Sequence, residues 1–319
     1  MNDAWLHGLR LPVRSFDTWA GWWADLFPRL SGQADADLSG DPAAQAWLSG
    51  VLASGPEQAF LGGYQVALAA LVGATTDRLR AFAATEGPGK SLRRPATRLV
   101  EVGEGLWTLS GQKSFVTLPD LLDECLVLAS CEPGEDGRET VVVRLDRGEI
   151  AGCSGVGGLV PPGFRDLRFG RMTFDALPIG ETRVLPGRGH EDYSRRFRWL
   201  EDHLVLIALL GWLLRAVLGH DNLGCAPSER RSDAETLLLL AKTLASQVMA
   251  DGDDGIAALT FAAARSRLGE MLERWRLEAT DGAALQGGLP VLKSLLGVAA
   301  AAQAKRREKA WLRFPRPEN

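Results

Sequence analysis

The sequence predicts an α+β protein with a helical N-terminal domain, an antiparallel β middle domain and a C-terminal helical bundle. Three observations carry this. Eight prolines fall within residues 88–186, but only two, Pro227 and Pro290, within residues 187–314. Helix interiors exclude proline, whereas sheets accept it at turns and edges. The proline-rich part holds short β-type runs with no helical segment between them, which favours antiparallel pairing over βαβ units. The proline-poor part repeats apolar residues at helical spacing.

In the N-terminal domain, residues 1–80, Phe60, Tyr64, Leu68, Leu71 and Val72 recur at helical spacing over residues 56–79. Trp19, Trp22 and Trp23 fit one face of an earlier helix, with Ser15 or Asp17 as its N-cap. The polar stretch 31–42 between them reads as a loop. In the middle domain, residues 81–189, β-type runs cover 99–102, 107–109, 114–116, 125–129, 140–145, 172–174 and 182–185. Residues 103–105, 133–137 and 161–163 separate them as turns. Gly155, Gly157 and Gly158 resemble a loose dinucleotide fingerprint, but no helix follows, so they read as a loop.

The C-terminal domain, residues 190–319, opens with one long helix over 193–218. It is apolar on nearly every face from Leu204 onward, which requires other helices around it. Helices over 232–249, 256–277 and 289–311 follow, with breaks at Pro227, 251–255 and 287–290. Lys305, Arg306, Arg307 and Lys309 place cations in a last helical turn, where the macrodipole favours them.

Composition narrows the function. Thirty-six basic and 40 acidic residues leave a net charge of −4, and the pI is near 5.7. A general nucleic-acid binder needs a basic face and usually a basic pI, so no nucleic-acid partner is expected. The four cysteines form no C-x-x-C pair and have no histidine at zinc spacing, so neither a metal site nor a disulfide framework is expected. A chain of 319 residues buries about 75% of its unfolded surface and needs no such staples. The N-terminus carries acidic residues and no uninterrupted apolar core, unlike a signal peptide. The longest apolar run, 204–214, is short of the roughly 20 residues a bilayer requires, so no membrane partner is expected. These readings predict a cytoplasmic protein.

Two motifs carry a resemblance. Residues 81–91 read Ala-Phe-Ala-Ala-Thr85-Glu86-Gly87-Pro88-Gly89-Lys90-Ser91, similar to the aromatic-x-x-Thr-Glu-Pro-x-x-Gly-Ser segment of acyl-CoA dehydrogenases. Residues 107–117 read Trp-Thr-Leu-Ser-Gly111-Gln-Lys113-Ser-Phe115-Val-Thr117, similar to that family's Trp-x-Leu-x-Gly-x-Lys-x-aromatic-Ile-Thr. Met172-Thr-Phe174-Asp175 and Val184-Leu185-Pro-Gly187-Arg-Gly189 echo two later segments. The match spans residues 81–189 and includes the family's order and spacing.

The resemblance implies the helix–sheet–helix architecture, FAD as cofactor and an acyl-CoA or acyl-carrier thioester as substrate. A flavin needs an apolar platform and polar groups along its pyrimidine edge. By the resemblance, Thr85 and Thr117 hydrogen-bond that edge, Phe115 packs on the ring, and Ser91 sits at the pyrophosphate or the substrate. The reaction implied is α,β-dehydrogenation, which requires a carboxylate base. The usual base, in a C-terminal Tyr-Glu-Gly type loop, has no counterpart before Asn319. Isovaleryl-CoA dehydrogenase-like members place the base at the start of the long helix. Counted back from Gly211, Glu201 falls there, with Val205, Ala208 and Trp212 on its helical face. A carboxylate against apolar surface has a raised pKa, as a general base requires. Asp202 beside it reads as an acid favoured by the helix dipole, and His203 as a solvent-edge or packing histidine.

The family's Arg-x-x-Phe-Gly and Gln-x-x-Gly-Gly-x-Gly-Tyr segments have no match here. Their absence supports an alternative: a catalytically degenerate member that binds an acyl thioester or serves as a partner subunit. The resemblance implies a homo-oligomer or a hetero-oligomer with a related subunit.

Overall fold

The computed structural model describes residues 5, 9, 11, 19–30, 40–87, 90–132, 139–153, 164, 167–219, 227–250, 255–275, 283–297 and 300–312. Ser15, Asp17, the glycines 155–158, the turns 133–137 and 161–163, and His220 lie outside the described residues. Helices precede and follow a sheet: α1 (Trp19–Leu30), α2 (Pro42–Val51) and α3 (Pro56–Val72), then β1 (Arg80–Ala83), β2 (Arg98–Gly103), β3 (Leu106–Thr117), β4 (Glu124–Cys131) and β5 (Thr140–Asp146). A short α4 (Arg147–Ala151) leads on to β6 (Phe169–Gly180). The remaining helices are α5 (Arg195–Gly219), α6 (Pro227–Met249), α7 (Gly255–Arg274), α8 (Ala283–Gly297) and α9 (Ala300–Trp311). By contacts the chain divides into two units, one of Met1–Ala67 with Leu200–Asn319, the other Leu68–Trp199.

The first unit is helical. Asp41 caps α2 by accepting the Ala44 amide at 2.9 Å, and Pro42 takes the first turn, where its missing N–H costs nothing. From Leu204 to Leu214 every α5 residue except Val205 is buried. The whole helical stretch Gly189–Gly219 is long and apolar enough to cross a membrane, yet 67% of its most apolar window is buried within the protein, as a core helix requires. Glycine lets α2 approach it: a Cβ on Gly50 would stand 1.8 Å from the Ala208 carbonyl oxygen, and one on Gly211 2.8 Å from that of Trp47. Trp47 is fully buried, donates its indole N–H to the Trp5 carbonyl at 2.9 Å and stacks on the Trp5 ring.

Four expectations about these helices differ from the structure. Pro227 begins α6 instead of preceding it, since a first-turn proline loses no helical hydrogen bond. The expected break at 287–290 lies inside α8, which runs through the exposed Pro290. The helix expected over 289–311 is described as α8 and α9. The one expected from Tyr193 opens with a single wider turn, Gly189–Ser194, before α5.

The second unit is built on one six-stranded sheet, in the order β1-β4-β2-β3-β6, with β5 on the other edge of β4. β2–β3, β3–β6 and β4–β5 pair antiparallel, but β1–β4 and β2–β4 pair parallel. The sheet is therefore mixed, not purely antiparallel. A parallel pair needs a long crossover, and here the β2–β3 excursion supplies it without a helix. Run-by-run reading could not see that. The short β1 matches no expected run, the runs expected at 107–109 and 114–116 form the single strand β3, and residues 182–185 are not a strand. The chain makes a tight helical turn there, Glu181–Arg183, with one bridge from Val184 to Val143.

Gly111 sits where β3 and β6 slip register, with φ +138° and an added Cβ 2.6 Å from the Thr97 Cα. Alanine can relieve neither constraint. Gly111→Ala is expected to lower the unfolding free energy by about 2–3 kcal/mol, read from the urea midpoint at unchanged slope.

Candidate functional site

β1 is buried along its whole length and hands the chain to Ala84, Thr85 and Glu86. There the two sequence motifs meet. The Ser114 amide donates to the Thr85 carbonyl at 2.7 Å. Lys113, fully buried, donates to Glu86 Oε1 at 2.7 Å and to the Ala84 carbonyl at 3.2 Å. The Glu86 carboxylate also accepts the Ala96 amide at 2.6 Å and the Thr97 amide at 2.8 Å. Burial alone would raise the Glu86 carboxyl, but Lys113 and the Thr97 and Ala96 amides outweigh it and hold its pKa at about 2. Burial lowers the pKa of Lys113, opposed by the same carboxylate.

Immediately after Lys113 the backbone is strained. Between Lys113 and Val116 two β3 residues, Ser114 and Phe115, stand opposite one on β6, Arg171, a bulge. Phe115 within it takes φ +58°, and Leu118 just beyond the strand takes φ +45°. Such conformations cost side-chain-bearing residues about 1–3 kcal/mol each and collect at ligand sites. The bulge leaves the Phe115 side chain 53% exposed, whereas Thr117 is 3% exposed.

The structure thus ties Thr85 through its backbone to the bulge, within which Phe115 is exposed, and buries Thr117 just beyond it. Thr85 is exposed and tied through its backbone to the residue before Phe115. An exposed aromatic ring can offer a platform to a flat heteroaromatic ligand, and an exposed threonine a polar edge contact. Ser91 lies on an exposed turn, its hydroxyl oxygen accepting the Arg93 amide at 3.2 Å. Among the described residues no group of three or more His, Cys, Asp or Glu could hold a metal ion.

Glu201 belongs to the helical unit. It is half-buried on α5, and Ala208 and Trp212 along its face are buried. Its neighbours are engaged elsewhere. Asp202 accepts from Arg306 at 2.5 Å and from Gln303 at 3.0 Å, so it pairs with a cation rather than with a helix dipole alone. His203 is buried, a packing histidine and not one at the solvent edge; it meets the Gln247 amide oxygen at 3.1 Å and packs on the Phe261 ring.

No protein-family model and no curated protein matches the chain. Solved structures do. The chain is similar to butyryl-CoA dehydrogenase from Megasphaera elsdenii, at 16% identity over 93% of this chain and 90% of that one, with TM-score 0.68. Glutaryl-CoA dehydrogenase from Mycobacterium smegmatis matches at 15% identity over 99% and 94%, with TM-score 0.67. The FAD complex of PigA matches at 14% over 97% and 91%, with TM-score 0.61. The chain has the acyl-CoA dehydrogenase fold.

Within this acyl-CoA dehydrogenase fold, the Lys113–Glu86 pair is what residue-by-residue reading missed. Both residues stood inside the two motifs, one cation and one anion, and the opposite charges were the available signal. Lys113→Met would leave the Glu86 carboxylate buried without its cation, and should cost about 3–5 kcal/mol of stability. The depressed Glu86 pKa adds a pH test. Its stabilisation is present above the ordinary value of 4.5 and is lost as pH falls toward about 2. Acid unfolding of the wild type should steepen in that window, and Glu86→Gln should remove that component.

Proposed function

We propose that the chain is an FAD-dependent oxidoreductase that dehydrogenates an acyl thioester, CoA-linked or carrier-linked, between its α and β carbons. Its three domains would be residues 1–80, 81–189 and 190–319. The observation that carries the reading is Phe115, exposed on left-handed backbone beside Thr85, in a fold shared with butyryl- and glutaryl-CoA dehydrogenases. That fold alone leaves the chemistry open. The paired motifs and the exposed ring on strained backbone favour a flavin.

The exposure of Thr85 and Phe115 supports this reading, whereas Thr117 is buried and its hydroxyl would have to be uncovered to meet the group. Thr85 and Thr117 would hydrogen-bond the pyrimidine edge, Phe115 would pack on the ring, and Ser91 would serve the pyrophosphate or the substrate. FAD supplies the acceptor for the hydride that leaves the β-carbon. Glu201 would take the α-proton on its carboxylate. Lys113 and Glu86 hold the segment that carries Thr85 and Phe115, and touch no reacting atom.

The absorption spectrum of purified protein tests the cofactor: oxidised flavin bands are expected. Thr117→Val keeps the side-chain shape and removes the hydroxyl, so flavin affinity should fall by about 0.5–1.5 kcal/mol in a fluorescence titration. Glu201→Gln should slow acyl-thioester oxidation by about 10²-fold or more while flavin content stays unchanged. Equal turnover by wild type and variant removes Glu201 from the base role. Protein that takes up no flavin, with acyl-CoA binding retained, points to the non-catalytic reading.

A further inference from the structure

A second constellation lies at the other end of β1. A cavity of about 320 Å³ opens where β1 and β4 begin and β5 ends. Arg80, Glu124 and Asp146 are direct register partners across these three adjacent strands, so their side chains leave the same face of the sheet. Arg144, two residues back on β5, shares that face, and Arg78 and Arg183 complete the basic lining.

Four guanidinium groups here meet three carboxylates, those of Asp77, Glu124 and Asp146, and the carboxylates are already occupied. Glu124 accepts from the buried Arg80 at 2.9 Å, and Arg80 also donates to the Thr75 carbonyl at 2.7 Å. Asp146 accepts from Arg183 and from the Gly148 and Glu149 amides. Asp77 accepts the Thr75 hydroxyl at 2.6 Å and lies 3.9 Å from Arg80. Arg183 is shared further with Glu149 at 3.2 Å. Arg78 and Arg144 have no ion pair or side-chain hydrogen bond among the described residues. The acceptors of the cavity are satisfied and two of its forked donors are open.

We infer that this cavity binds a small oxyanionic ligand, a phosphoryl or carboxylate group held by Arg78 and Arg144. Open guanidinium forks match the paired oxygens of either group. The volume lies at the lower end of small-molecule sites, room for a compact metabolite and not for a dinucleotide. The site is separate from the flavin segment, because Thr85 stands five residues from Arg80, about 15 Å along an extended chain.

The test is isothermal titration calorimetry of the full chain with pyrophosphate and, separately, with succinate, at constant ionic strength set by chloride. Saturable one-to-one binding of at least one is expected, and the tighter partner identifies phosphoryl or carboxylate chemistry. Arg144→Gln and Arg78→Gln should each weaken it about tenfold or more, whereas Arg171→Gln, an exposed arginine on β6, should not. Thermal unfolding without ligand checks each variant's fold. If the half-buried Arg144 proves structurally necessary, the exposed Arg78 carries the test alone. Absence of saturable binding by both anions, or binding that a folded Arg78→Gln leaves unchanged, overturns the proposal. Neither result depends on flavin content, so the flavin reading stands or falls separately.

Discussion

The β unit depends on one buried ion pair. Lys113 of β3 and Glu86 of the chain after β1 are both removed from water, and each charge is supplied with hydrogen bonds beyond the pair itself. Such a pair adds little net stability over an apolar substitute, because desolvation of the two ions offsets their attraction. What it adds is definition. An ammonium at this depth has few alternative acceptors, so the end of β1, the approach to β2 and the centre of β3 are held in one arrangement.

That rigidity bears on the strained segment next to it. A phenylalanine with positive φ persists only where its surroundings over-determine the backbone. On one side Lys113 is anchored, Gly111 lies against Thr97, and the Ser114 amide is bonded to Thr85. On the other, Leu118 donates its amide to the Arg168 carbonyl at 2.9 Å. The exposed ring is thus presented by a segment pinned at both ends. A binding site gains from this, since a platform already in position loses little entropy when a ligand arrives.

The helical unit obeys a different constraint. α5 is apolar nearly all round, so its neighbours must approach closely enough to exclude water, and glycines on both α2 and α5 permit it. Two polar side chains near its start are paired: Asp202 with Arg306 and Gln303, His203 with Gln247. Arg306 comes from a basic cluster that local reasoning assigned to a helix terminus. Its partner is about 100 residues away in sequence, beyond the reach of any local rule.

The sequence by itself determined the broad succession of helices, strands and helices, because proline, glycine and hydrophobic period act within a few residues. It also determined which segments merit attention, since Thr85, Phe115 and Thr117 lie in two motifs of distinctive composition. The tertiary structure alone decided the parallel pairing of β1 and β2 with β4, the bulge that exposes Phe115, and the convergence of Arg78 and Arg144 on one cavity. It also showed that Glu86 and Lys113 are partners. Each of these depends on strand register and on burial, and both arise only when residues distant in the chain are packed together and lose their water.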